Sequence, residues 1–151
     1  MDITLVPGFN PGSYTGAGNN TYVISGETPT LVDAATGEAA HLKALADALA
    51  PTRLAQVLVT HAHPDHADGC DPVAKRWPDT AFRKMPWPER DRLQSVECVP
   101  IEDGDRIPAG DGTLLAAARV GRALDRVRVS LGFNRELLRG SDPCLPRMHA
   151  C

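Results

Sequence analysis

Between Val59 and Gly69 the chain reads VTHAHPDHADG, which puts three of its five histidines and two aspartates into one short segment. Written as His61-x-His63-x-Asp65-His66, the spacing suits metal chemistry. In an extended segment alternate side chains share a side, so His61 and His63 can grip one cation. Asp65 and His66 follow where the chain turns, and they can face a second position nearby. Imidazole with carboxylate favours Zn²⁺ or a neighbouring first-row metal over Ca²⁺ or Mg²⁺. A catalytic zinc keeps a position open for water and lowers that water's pKa to about 7. Two such ions close together can share one hydroxide and clamp a reacting carbonyl or phosphoryl group. Three imidazoles buried without partners would cost stability, so an incidental cluster is the weaker reading.

The elements around the cluster must hold it in place. AQVLVT (Ala55 to Thr60) is β-branched and apolar, as a buried central strand should be. A loop at the carboxyl end of such a strand is where α/β sheets place their chemistry. Gly69 gives room for a close turn. Upstream, Ile3 to Pro7 reads as a strand, and Phe9 to Asn20 as a loop rich in Gly, Asn and Pro. Thr21 to Ser25 and Thr30 to Asp33 read as a strand pair. Ala39, Leu42, Leu45, Ala46 and Leu49 recur at helical spacing, and Pro51 stops that helix. Downstream, a helix is predicted from Ala67 to Trp77, broken near Asp71-Pro72. A strand follows at Thr80 to Met85, then a loop through PWPERDRL. The stretch VPIEDGDRIPAGDGTLLAAA should alternate short strands with turns at Asp103-Gly104 and Asp111-Gly112. The fold class is α/β, or mixed α+β, around a central sheet.

At 151 residues the chain is long enough for one ordinary domain with a real core. Apolar residues make up 42% and charged residues 23%, which argues against wholesale disorder. The net charge of −3 carries no nucleic-acid footprint for the chain as a whole. No apolar run is long enough for a membrane helix, and the N-terminus lacks a signal-peptide pattern. A cytoplasmic location is therefore expected, with Cys70, Cys98, Cys144 and Cys151 as free thiols. Charge is uneven: residues 1–116 hold nine Lys or Arg against sixteen Asp or Glu, and residues 117–151 hold seven Arg against three acids. Trp77 and Trp87 read as core or loop anchors. RKMPWPERDR reads as a solvated loop that in an enzyme would flank the cleft. Cys70 reads as a small buried residue ahead of a metal ligand.

THAHPDHADG resembles the T-H-x-H-x-D-H-x-x-G signature of the metallo-β-lactamase fold hydrolases. FNPGSYTGAGNNTYVI resembles the N-P-G-x-x-T-x-x-G-T-N-T-Y opening of one branch, the lactamase-like hydrolases with endoribonuclease members, close to glyoxalase II. LVDAATGE, with Asp33, and IEDGDRI resemble two further segments of that branch. The resemblance implies the N-terminal part of an αββα sandwich with a two-metal site at one edge. His61 and His63 would hold one ion, and Asp65 and His66 the other. Asp65 would also orient the bridging water, as the catalytic residue. The ions would be Zn²⁺, two per complete site, with Fe or Mn as alternatives. Asp33 would be an outer carboxylate near the histidines, or simply a strand-end turn residue. Asn19, Asn20 and Tyr22 would lie on a loop near the site, with a structural turn role favoured.

The likeness covers residues 1–116, read as a metallo-β-lactamase-like domain, and fades over residues 117–151, an atypical Arg-rich tail. The family's remaining ligands are a His in T-P-G-H, an Asp in G-D and a last His in G-H. Here Arg122 stands where the first is expected, and arginine offers a metal no lone pair. Asp125-Arg126 replaces Asp-His, Asp142 follows an extra Ser141, and His149 has no glycine before it. A decayed or truncated relative and a change of reading frame near residue 116 would each produce this pattern. With only half of the sandwich, one sheet face is expected to need cover, from the tail or by self-association. The function implied is hydrolysis of an ester, thioester, amide or phosphodiester by a zinc-bound hydroxide, on a small-molecule or RNA substrate. Two alternatives stay open: a non-catalytic metal-binding remnant, and an unrelated α/β binding module.

Overall fold

The structure, a computed structural model, describes residues 2–92, 94–120 and 127–133. Arg122, Asp125, Asp142 and His149 lie outside the described residues. The main sheet runs in the order β1 (Asp2–Pro7), β2 (Asn20–Ser25), β3 (Thr30–Val32), β4 (Gln56–Val59), β5 (Ala81–Lys84) and β6 (Val99–Pro100). β1, β2 and β3 are antiparallel neighbours, and β3 to β6 are parallel. A second antiparallel sheet holds β7 (Arg106–Ala109), β8 (Gly112–Val120) and β9 (Val127–Phe133).

Strand alternation divides the core in two. Val23, Leu31, Val57, Val59 and Phe82 face helices α1 (Ala39–Leu49), α2 (Pro64–Ala67) and α3 (Cys70–Arg76), meeting Leu45, Leu49, Ala67, Cys70 and Val73. Ile24, Val32 and Leu58 on the opposite face meet Ile107, Ala109, Leu114 and Ala116 of the second sheet. The layers are thus helices, sheet, sheet: a mixed α/β fold matching the N-terminal part of the sandwich. The face expected to need cover receives β7 and β8 from the same chain. Gln56 ties the sheets across this contact. Its amide donates to Thr30 Oγ1 at 3.0 Å and to the Pro108 carbonyl, and its Oε1 accepts from Arg83 Nε at 3.1 Å. Among the described residues no helix is long and apolar enough to cross a membrane.

Three expectations change in detail. The single helix from Ala67 to Trp77 is two, α2 and α3, parted at Asp68-Gly69. Pro72 sits in the first turn of α3, where its missing N–H is not needed. PWPERDRL is not all loop, because Pro88–Asp91 forms a short helix, α4. The β7–β8 turn is Gly110-Asp111 rather than Asp111-Gly112: Ala109 pairs with Gly112, and Gly110 takes the positive φ of +57°.

His41 of α1 is fully buried against β1 and β2. Thr21 Oγ1 donates to the Val6 carbonyl at 2.9 Å and lies 3.0 Å from His41 Nε2. The hydroxyl proton is thereby committed, so Nε2–H is the donor and Nδ1 keeps its lone pair, buried without a partner. Burial lowers the His41 pKa. The unfolded chain takes up this proton below about pH 6.5 and the folded chain only at lower pH, so the stability is full above that value and lost on acidification. The stability gap between wild type and His41→Leu, measured by urea unfolding, should move in favour of the variant as pH falls from about 7 to about 5.

Candidate metal centre

β4 delivers Thr60 and His61 to the carboxyl end of the main sheet. His63 then caps α2 in an extended conformation (φ −74°, ψ 148°), and Pro64 opens the helix where its fixed φ fits. Asp65 and His66 follow within the first turn. The structure brings all four predicted residues into one cluster. His61 Nε2 lies 3.1 Å from His63 Nδ1, and His66 Nε2 lies 3.3 Å from Asp65 Oδ2. The His61 and His66 rings sit 4.0 Å apart between centroids.

One buried carboxylate sets the proton positions. Asp33 is 2% exposed and takes a left-handed φ of +61° just beyond β3. Its Oδ1 accepts the Thr60 N–H at 2.8 Å, and the Thr60 hydroxyl donates to the same carboxylate at 2.9 Å. His61 Nδ1, 3.0 Å from that hydroxyl, must therefore be the donor, and the Nε2 lone pair is left facing His63. His66 Nδ1 lies 2.8 Å from Asp33 Oδ2, which likewise leaves Nε2 free to bind toward Asp65. Outer carboxylates of this kind orient imidazole ligands. For Asp33, then, the structure favours the outer-carboxylate reading over a mere turn residue.

The turn that carries Asp33 is stitched to the motif. Ala34 N–H donates to the His66 carbonyl at 2.8 Å, and Gly69 N–H to the Ala35 carbonyl at 2.9 Å. A side chain at residue 69 would collide with the Ala34 carbonyl, since its Cβ would lie 1.8 Å from that oxygen. The glycine ending the motif is thus a demand of close approach. Asn19 Nδ2 donates to the Asp65 carbonyl and joins the glycine-rich loop to the cluster. Thr60 and Asn19 are roles that residue typing missed. Thr60 was visible only as the residue before the first histidine, and Asn19 gave no signal apart from its loop. Cys70 is 1% exposed and packs in the helix-side core, where burial pushes its thiol pKa up, in keeping with a small buried residue.

The donor set fits metal ions in pairs. Two ligands about 2.0–2.1 Å from a tetrahedral ion stand roughly 3.3 Å apart, close to both separations. Among the described residues no three or more His, Cys, Asp or Glu are grouped so that they could hold one ion, so these two couples are the donor sets that the described part of the motif offers. Electrostatics agree with this division. Burial, and then the charge of His66, hold His61 down to about 4, so its lone pair is available at neutral pH. Burial works against protonated His66, but Asp33 and Asp65 outweigh it and raise that pKa. A proton therefore competes with a metal at His66, and an ion held there should bind more weakly as pH falls.

The layers, the strand-end turn and the paired donors define a metallohydrolase-type scaffold. The profile of the metallo-beta-lactamase superfamily matches residues 14–140, and the chain belongs to that superfamily. It is 31% identical over 145 residues to the beta-lactamase-like protein 2 homolog of Caenorhabditis elegans, covering 91% of this chain and 48% of that one. It is 30% identical over 146 residues to the atrochrysone carboxyl ACP thioesterase AgnL7 of Paecilomyces divaricatus, covering 93% and 44%. The chain thus spans less than half the length of these relatives. A beta-lactamase domain protein of Burkholderia ambifaria shares the fold, with a TM-score of 0.64 at 16% identity over 85% of this chain and 50% of that one. The family generally binds metal ions and is hydrolase-like.

Asp33→Asn keeps a residue tolerant of positive φ but removes the charge and one of the two acceptors that Thr60 and His66 share. Zinc affinity, measured by chelator competition, should fall about 10–100-fold, with the helical circular-dichroism signal retained.

Proposed function

We propose that this chain takes part in metal-dependent hydrolysis of a carboxylic thioester or ester, with His61 and His63 holding one ion and Asp65 and His66 a second. The observation that carries the reading is the pair of donor couples, His61 with His63 and Asp65 with His66, in which Asp33 sets the tautomers of His61 and His66. Zinc, with iron or manganese as alternatives, would supply Lewis acidity that makes water nucleophilic near neutral pH. The chain's own residues do the rest. Asp33 and Thr60 hold His61 with Nδ1 protonated, and Asp33 does the same for His66. The Asp65 carboxylate takes a proton from the attacking water and passes it to the departing thiolate or alkoxide, which leaves as thiol or alcohol. Water oxygen bonds to the acyl carbon as the C–S or C–O bond breaks.

The thioester class is favoured because relatives matched along most of this chain are named as acyl-carrier thioesterases. RNA is the weaker substrate class, since residues 1–116 are strongly acidic and would repel a phosphate backbone. A cytoplasmic setting and self-association through the outward face of the β7–β9 sheet, which carries Leu115 and Ala117, complete the proposal. The second reading, a metal-binding remnant without turnover, draws on the two-donor count at each position.

Elemental analysis and thioester turnover on the purified chain separate the two. The hydrolase reading expects bound transition metal and turnover that chelator removes, with His61→Ala lowering kcat at least about a hundredfold. Metal without turnover on thioester, ester or phosphodiester supports the remnant. Absence of metal overturns both.

A further inference from the structure

Lys84 ends β5 with its side chain 1% exposed. An ammonium so deep is costly unless its donors are met. Its Nζ donates to the Met85 carbonyl at 3.1 Å and to Asp91 Oδ1. The other oxygen of Asp91 accepts the Trp87 N–H at 2.8 Å, and the Asp91 N–H returns to the Trp87 carbonyl at 2.9 Å. One buried ammonium and one carboxylate thus tie down both ends of the loop from Met85 to Asp91. Buried pairs add little net stability, and their best use is to select one arrangement.

The arrangement selected sets the Trp87 indole beside His63, with ring centroids 6.1 Å apart and planes tilted by 44°. Pro86 and Pro88 are exposed on either side, and Met85 and Trp87 are half-buried. Two prolines stiffen the backbone and remove two N–H donors, so the loop's contribution beside His63 is the indole ring of Trp87. A surface built to hold a phosphate or sugar would instead offer donors there.

We propose that Trp87 is the wall on which the acyl group of the substrate rests, and that this group is flat and apolar, aryl or conjugated. Lys84 and Asp91 are the positioning residues of that wall. The proposal rests on the hydrolase reading above. A planar acyl group gains offset stacking on indole as well as buried area, and a short aliphatic acyl group gains little of either. The 290 Å³ cavity beside Lys84 is not the acyl site, since its lining holds none of the cluster residues and brings in the carboxylates of Asp91 and Glu97.

The test compares benzoyl and acetyl thioesters of one thiol. Trp87→Ala should lower kcat/KM for the benzoyl substrate about tenfold, carried by KM, and change the acetyl substrate less than about threefold. Trp87→Phe should recover most of the loss. Lys84→Met should reproduce the selective loss, and Asp91→Asn, which keeps an acceptor for the Trp87 N–H, should show a smaller one. An equal effect on both substrates, or no effect, overturns the proposal. A second readout needs no turnover. In a Trp77→Phe background, where Trp87 is the only tryptophan, Co²⁺ should quench the fluorescence, and an aryl ketone added to the Co²⁺-loaded chain should change it saturably. Lys84→Met should weaken that saturable change. Saturable binding without hydrolysis would sink the hydrolase reading and leave the wall standing. Hydrolysis with no fluorescence response to the ketone would do the reverse.

Discussion

The Asp33 carboxylate is the interaction on which the rest of the centre depends. It lies at the end of β3, buried, on a backbone conformation that L-residues rarely take. From there it receives the amide and hydroxyl of Thr60 and the ring of His66, and through Thr60 it controls the ring of His61. Parallel pairing of β3 with β4, with Val32 opposite Leu58, brings this carboxylate level with the start of the histidine motif. A slip of one residue would turn Leu58 to the helices and carry Thr60 out of reach. The apolar alternation that divides the core therefore also sets the chemistry.

Much of this was legible in the residues. The motif spacing pointed to two donor pairs, whose four side chains lie together in the structure, and the apolar run before it pointed to a buried strand, which is β4. Helix α1 followed from its apolar periodicity. The unread parts are those where tertiary contact decides. Nothing local to Asn19 reveals that its amide reaches Asp65, a contact spanning 46 residues of sequence. Gln56 and Lys84 sit in strands whose composition argues for apolar neighbours, and only the facing sheet or loop supplies their partners. The split between α2 and α3 depends on the Ala34 carbonyl pressing on Gly69, which a helical pattern does not register.

The loop after β5 shows how a polar expectation can mislead. RKMPWPERDR is dense in charge, yet its Lys84 is spent internally and the group it sets beside His63 is the Trp87 indole. Charge counted along a segment does not say which atoms face a cleft.

The hydrogen bonds that fix His61 and His66 come wholly from the protein, and two apolar clusters hold the strands behind them. An ion would therefore meet side chains the protein itself orients, in contrast to small zinc modules that collapse when stripped. The raised proton affinity of His66 lets a proton stand between it and Asp65 when no cation does. Uptake and release of an ion there would be an exchange on a standing frame, so stripping the metal is expected to leave the fold in place.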